Sequence, residues 1–434
     1  MSWRTRYQAC KQALFAPYAP HTLAVFCITV CAVSLLMMDV HSAPLFGGLS
    51  PALRVAPAGM GWVVAHLPEW AFGVLAARIA WALFMVGCAL GLVGAGTRAA
   101  LAVAAISGGW LLGLPQLYGA VLHGHHLIWF LALLAASPSG DALSVDALLR
   151  KPRIIAAPSP AYGVPLKIAW LLIGLIYFFP GYWKWKTSGL AWALSDNLVH
   201  QMQAKWLQHG FLAPCRIDRF GRLCRMLALL VMGFEVSVLF LLPFRRLRPW
   251  LAGAATLFHI ATDVLMRIRF TSLFLCYVVL FDWSPRRQPE SSCDLKRSLW
   301  PTALVGALLI AGVGTTGLWG LSSAWPFACY PKFAEIAAAT MPNLTVERVA
   351  RDGTSFVLSE TELAKRLSSQ RLWALKWSIL GKRGEAQRRA LADYSTLLAG
   401  ASDGKRRAYQ ELLALDPDAP KRILSRDLLS EWEP

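Results

Sequence analysis

The stretch YFFPGYWKWKTSG, Tyr177 to Gly189, closes an apolar run suited to lipid. It sets Lys184 and Lys186 among Tyr182, Trp183 and Trp185. A helix crosses a bilayer core with about 20 mostly apolar residues, and the run that ends here, 164–181, is such a segment. The lysines at its end have two readings. Trp, Tyr and Lys gather at membrane interfaces, where long side chains snorkel to water. A lysine held against aromatic walls behaves differently. Desolvation disfavours its ammonium form, and a lysine that gives up its proton readily can act as a base.

The rest of the chain agrees with the membrane reading. Its 434 residues are 56% hydrophobic and 16% charged, with a mean hydropathy of +0.46. A soluble domain is about 45–50% apolar and about 25% charged. The net charge of +18 does not point to nucleic acid, because no aromatic–basic binding motif accompanies it. Of the charged residues, 11 acidic and 26 basic precede Ala324, whereas 14 and 17 follow it. The early excess lies in short loops, where Lys and Arg set membrane topology.

Nine apolar segments are expected to span: 22–38, 71–95, 99–120, 126–137, 164–181, 222–243, 249–265, 270–283 and 299–321. The first is read as a retained helix and not a cleaved signal. The fourth is short enough to lie among other helices. MRIRF between the seventh and eighth suggests a hairpin or a broken helix. Nine spans with a cytoplasmic N-terminus put Arg4, Arg6, Lys11, Arg98, Arg150, Lys151, Arg153, Arg245, Arg246, Arg248, Arg286, Arg287, Lys296 and Arg297 on the cytoplasmic side of a bacterial-type inner membrane. The basic segment 205–225 is the exception. It would lie outside, along the surface or re-entering the bilayer.

After residue 324 the character changes. LTVERVARDGTSFVLSE alternates around Asp352-Gly353, a hairpin signal. Ser359 and Glu362 offer a capping box for a helix running to about Leu380. Further helices are expected near 384–399 and 404–415. The expected fold is mainly α. A polytopic membrane bundle of about nine spans, 1–324, precedes a small extracytoplasmic α+β domain, 325–434.

Ionisable groups within spans are costly and are therefore functional candidates. His123, His125 and His126 cluster at a helix junction, in YGAVLHGHHLIWF. No acidic or Cys residue lies near them in sequence, so no metal ligand set is assigned; metal binding, hydrogen bonding or proton handling in an outer cavity, and plain interfacial histidines are the open readings. His259 lies mid-helix with Asp263 one turn on, either a satisfied core histidine or a His–Asp pair facing a cavity. Glu235 is a buried carboxylate that is either protonated or paired with an arginine of another helix. The nine cysteines contain no CxxC, and a bridge from Cys215 to Cys224 or Cys329 is one reading of the outer thiols. Gly87 to Gly91 forms a GxxxG that permits close helix packing. The hydropathy shows no paired broken helices of the kind that mark a transport site.

Three motifs in order carry a family resemblance: HGHHLIWFLALLAASPSGDALSVDALL, then IYFFPGYWKW, then LFHIATDVLMRIRF. Their order and spacing, over about residues 15–290, resemble the vitamin K-dependent gamma-carboxylase and its bacterial relatives, the HTTM (horizontally transferred transmembrane) domain proteins. The resemblance implies that Lys184 stands where the carboxylase carries the second lysine of a pair, the base that deprotonates vitamin K hydroquinone. The first lysine of that pair falls on Trp183, so the pair is not kept. The family's later histidine falls on His259, and its junction histidine on His125 or His126.

The implied protein is a membrane enzyme driven by a quinol, a vitamin K hydroquinone or menaquinol-like molecule. It would modify a secreted peptide or other substrate at the outer face, by carboxylase-like or oxidative chemistry. Lys184 would be the base, with His259, His125 and His126 beside it. Trp183, Trp185, Tyr182 and Asp263 would contact the substrate. The expected partners are lipid, the quinone and the peptide or protein substrate. The rival reading is a non-catalytic maturation or assembly factor for a secreted peptide or membrane partner.

Overall fold

A computed structural model describes residues 8, 12, 14–121, 124–150, 155–285, 292–293, 295–328, 333–400, 404–419 and 422–433. Arg4, Arg6, Cys10, Lys11, His123, Lys151, Arg153, Arg286, Arg287 and Cys329 lie outside these residues.

Among the described residues, six helices are long and apolar enough to cross a membrane. They are α1 (Pro20–Met37), α2 (Val74–Val93), α3 (Thr97–Gly113, continued as a tight turn to Tyr118), α5 (Pro160–Ser188), α7 (Gly221–Leu241) and α10 (Trp300–Leu318). The other three expected spans are helical but fall short of this standard. The α4 helix (His125–Ala136) has 12 residues, about 18 Å of helix against a core of about 30 Å. Nearly all of α4 is buried among its neighbours. The α8 helix (Arg248–Met266) carries His259 and Asp263 within its apolar stretch. It stops where Arg267 turns left-handed (φ +55°). The chain resumes as the short apolar helix α9 (Thr271–Leu280). MRIRF is therefore a break and not a hairpin of two full spans.

The GxxxG of α2 lies at a close contact. A Cβ on Gly87 would come within 2.8 Å of the Ala100 carbonyl in α3, and one on Gly91 within 2.9 Å of Cys31 Sγ in α1. With no side chain at 87 the α2 backbone packs directly on the α3 backbone, and at 91 the Cys31 side chain of α1 takes up the space.

At one end of the bundle, basic loops meet a single buried carboxylate. Asp141 accepts from Arg150 and Arg297 at 2.6 Å and from the Tyr162 hydroxyl at 2.7 Å. Asp146 accepts from the Gly96 and Thr97 amides, both at 2.8 Å, and so caps α3. At the opposite end the segment 43–72, residues 114–118 and the C-terminal region share one apolar core. Phe46, Leu53, Phe72 and Tyr118 pack there with Leu344, Leu375 and Tyr394.

The C-terminal sheet has β1 (Thr340–Val349), β2 (Ser355–Val357), β3 (Lys405–Ala414) and β4 (Ile423–Trp432), antiparallel in the order β2-β1-β3-β4. The hairpin around Asp352-Gly353 is present. The capping box is not, since Ser359 accepts from the Thr361 amide. The helical run divides at Ser368 into α11 (Thr361–Leu367) and α12 (Ser369–Leu380). The α13 helix, Gly384–Ala399, coincides with the expected 384–399. The expected helix 404–415 is strand β3. Its residues are good helix formers, but it sits between β1 and β4, and ladder pairing on both edges overrides local propensity.

The basic segment 205–225 packs along this same end. Helix α6 (Asn197–His209) buries Met202 and Trp206, and Arg216 reaches Asp218 at 2.9 Å and Asp418 of the C-terminal region at 3.1 Å. Cys215 and Cys224 are both free thiols.

Candidate functional site

Four residues of α5 at helical spacing, Gly174, Tyr177, Gly181 and Lys184, turn one face toward α7. The two glycines set the distance. A Cβ on Gly174 would come within 2.7 Å of Leu239, and one on Gly181 within 2.8 Å of the Glu235 Cβ. Without side chains at 174 and 181, Glu235 comes directly opposite Lys184. The Lys184 Nζ donates to both Glu235 carboxylate oxygens at 2.6 Å. Lys184 is 4% exposed and Glu235 5%. The ammonium also lies 4.7 Å from the centre of the Trp192 ring. Glu235 thus has a lysine, not an arginine, as its partner.

Two turns earlier on α5, the Tyr177 hydroxyl lies 2.6 Å from His259 Nε2 and also bonds the Tyr277 hydroxyl. His259 is buried, with the Phe270 ring 4.9 Å from its own. Its Nδ1 has no hydrogen-bond partner among the described residues. Asp263, its expected partner, faces Arg269 instead at 3.4 Å.

Both pairs open onto one cavity of about 460 Å³, lined by Tyr177, Lys184, Glu235 and His259 with a mostly apolar remainder that includes Trp192, Phe234 and Phe270. Pro180 also lines it. As a proline it cannot donate to the Ile176 carbonyl one turn back.

The other candidate residues lie elsewhere. His125 and His126 are buried at the start of α4, stacked edge-on to Trp129 and Phe130, and do not line the cavity. Trp183 donates to the Gly317 carbonyl at 2.6 Å. Tyr182 stacks on Phe178, and Trp185 is exposed. Lys186 lies over the Trp183 ring at 4.1 Å, as an interfacial anchor would. Among the described residues no three His, Cys, Asp or Glu side chains gather as a metal set.

Residues 121–284 match the sequence profile of the HTTM domain. This segment is an HTTM domain. It contains the polar residues that line the cavity, Tyr177, Lys184, Gln201, Glu235, His259 and Thr262, and Tyr277, which bonds Tyr177. The resemblance to gamma-carboxylase is consistent with that family. No curated protein and no solved structure gives a significant match. The matched segment shares one apolar core with α1–α3 and α10, and the C-terminal region packs on the segments 43–72 and 114–118 at one end of the bundle.

Proposed function

We propose that this HTTM protein binds a lipid-soluble hydroquinone in the apolar cavity, with Lys184 as the general base, at the extracytoplasmic side of a bacterial inner membrane. The observation that carries the reading is the convergence of Lys184 and His259 on one cavity about 460 Å³ in volume. Small-molecule sites are mostly apolar clefts of about 300–1,000 Å³ with a few convergent polar groups. The unpartnered Nδ1 of His259 offers a hydrogen bond to a ligand hydroxyl. A bound hydroquinone would supply an acidic phenol and two electrons.

The chain's part is to manage the proton. Burial penalises both members of a Lys–Glu ion pair, which narrows the gap between the charged and neutral forms. Transfer of one proton across the 2.6 Å contact gives a neutral Lys184 amine and a protonated Glu235. The amine then accepts the phenolic proton at Nζ and is an ammonium again, with Glu235 holding the proton displaced. Trp192 and Phe234 exclude water, which strengthens every charge interaction inside. Such chemistry would serve modification of a peptide or other substrate at the outer face.

The test is anaerobic titration of the full chain, in nanodiscs, with a menadiol-class hydroquinone, followed by tryptophan fluorescence. Ala228, buried in the cavity wall, is replaced by Phe to fill the space. Saturable quenching that Ala228→Phe abolishes supports the reading. Absence of saturation, or quenching indifferent to Ala228→Phe, sinks it and leaves the assembly-factor reading in its place.

A further inference from the structure

The break after α8 has a second face. Of the residues from Ile268 to Leu273, Ile268, Phe270 and Leu273 line the apolar cavity. Arg267, Arg269, Thr271 and Ser272 line a different cavity, of about 840 Å³. One stretch of backbone is therefore a partition, with aliphatic and aromatic side chains on one side and cations and hydroxyls on the other. His209 and Gln370 face the same polar chamber. Its acidic members are few. Asp39 lines it, and Asp263 stands behind Arg269.

Two features set the arginines apart from ordinary surface charge. Arg267 adopts φ +55°, a conformation that costs a non-glycine residue energy and is often kept where function requires it. Its guanidinium lies against the Phe211 ring at 4.9 Å, which fixes the plane of its donors. Arg269 is 68% exposed in its side chain, so its forked donors remain open to a ligand. The chamber shares His209, Ala364 and Ser369 with a further cavity of about 540 Å³ in the C-terminal region. A long molecule can thus run from the sheet to the partition.

We infer that the polar chamber is a second binding site, for an oxyanion, in which Arg267 and Arg269 hold a carboxylate or phosphate on the far side of the Ile268–Leu273 partition from Lys184. Arginine forks match the planar geometry of both groups. The site rests on residues distinct from the hydroquinone reading, since neither arginine lines the apolar cavity.

The test uses the full chain in phosphatidylcholine nanodiscs at low ionic strength, titrated calorimetrically with N-acetylglutamate and with inorganic phosphate. Parallel nanodiscs containing phosphatidylglycerol show whether a lipid headgroup competes. Saturable binding of either soluble probe is expected. Arg269→Gln should weaken it about tenfold, as loss of one charge-assisted hydrogen bond implies. Arg267→Gly, which fits the left-handed backbone and so keeps the fold, should weaken it similarly. Preference for one probe assigns the anion to carboxylate or phosphate. Weakening in phosphatidylglycerol assigns it to a lipid headgroup. No saturable binding of either probe in phosphatidylcholine, or affinity unchanged in both variants, overturns the inference.

Discussion

Replacing Glu235 with Leu removes one half of a pair buried inside the helical bundle. Lys184 and Glu235 are 4% and 5% exposed, and both carboxylate oxygens lie 2.6 Å from Nζ. Deleting one partner of such a pair leaves an uncompensated charge, at a cost of about 3–5 kcal/mol. The Lys184 contact with the Trp192 ring is already made in the wild type and so does not offset the loss. Lys184→Met alone should cost a similar amount by stranding the carboxylate. Replacing both residues removes both charges, so the double variant should lie within about 1–2 kcal/mol of wild type or above it. The assay is a double-mutant cycle on denaturant unfolding in detergent, followed by tryptophan fluorescence. Additive losses, or a single variant as stable as wild type, would refute the buried-pair argument.

Three further outcomes follow from other parts of the molecule. Burial, with Lys205, Arg267 and Arg269 nearby, lowers the His209 pKa from 6.5 to about 4. The unfolded chain then binds the extra proton first, so stability should fall as pH drops from about 6.5 to about 4, and His209→Gln should flatten that slope. Gly317→Ala would set a Cβ 2.3 Å from the Phe179 ring, where α10 packs on α5; overpacking of this kind costs about 1–3 kcal/mol in thermal unfolding, and an unchanged Tm would contradict the packing. Exposed Cys215 should react with an impermeant maleimide in intact cells, whereas Arg245→Cys in a Cys215→Ser background should react only after lysis; the reverse labelling would invert the proposed topology.

What was legible in the sequence was local. Long apolar periods marked the six described helices that are long and apolar enough to span, Asp352-Gly353 gave the β1–β2 turn, and GxxxG marked the α2 contact. What was not legible depended on partners far along the chain. Lys184 and Glu235 are 51 residues apart, and nothing near either names the other. Residues adjacent on a helix point about 100° apart, so Trp183 and Trp185 face away from the cavity that Lys184 faces. The indole that covers Lys184 is Trp192, beyond the turn at Gly189. His259 and Asp263 have i, i+4 spacing, yet the break at Arg267 returns Arg269 to Asp263 and leaves His259 to Tyr177. Tyr177 and Tyr277 carried no signal beyond being tyrosines in apolar runs. Strand β3 was hidden because its residues favour a helix and only the assembled sheet holds them extended.

The central claim is that Lys184 takes a proton from a phenol bound in the apolar cavity. The most direct measurement is the ultraviolet absorbance change that marks loss of that proton when hydroquinone is added anaerobically to wild-type, Lys184→Ala and Lys184→Arg protein. Arginine keeps the positive charge but cannot act as a base near neutral pH. Wild type should give the change, and both variants should lack it. An Arg variant that gives the wild-type change would contradict a base role for Lys184.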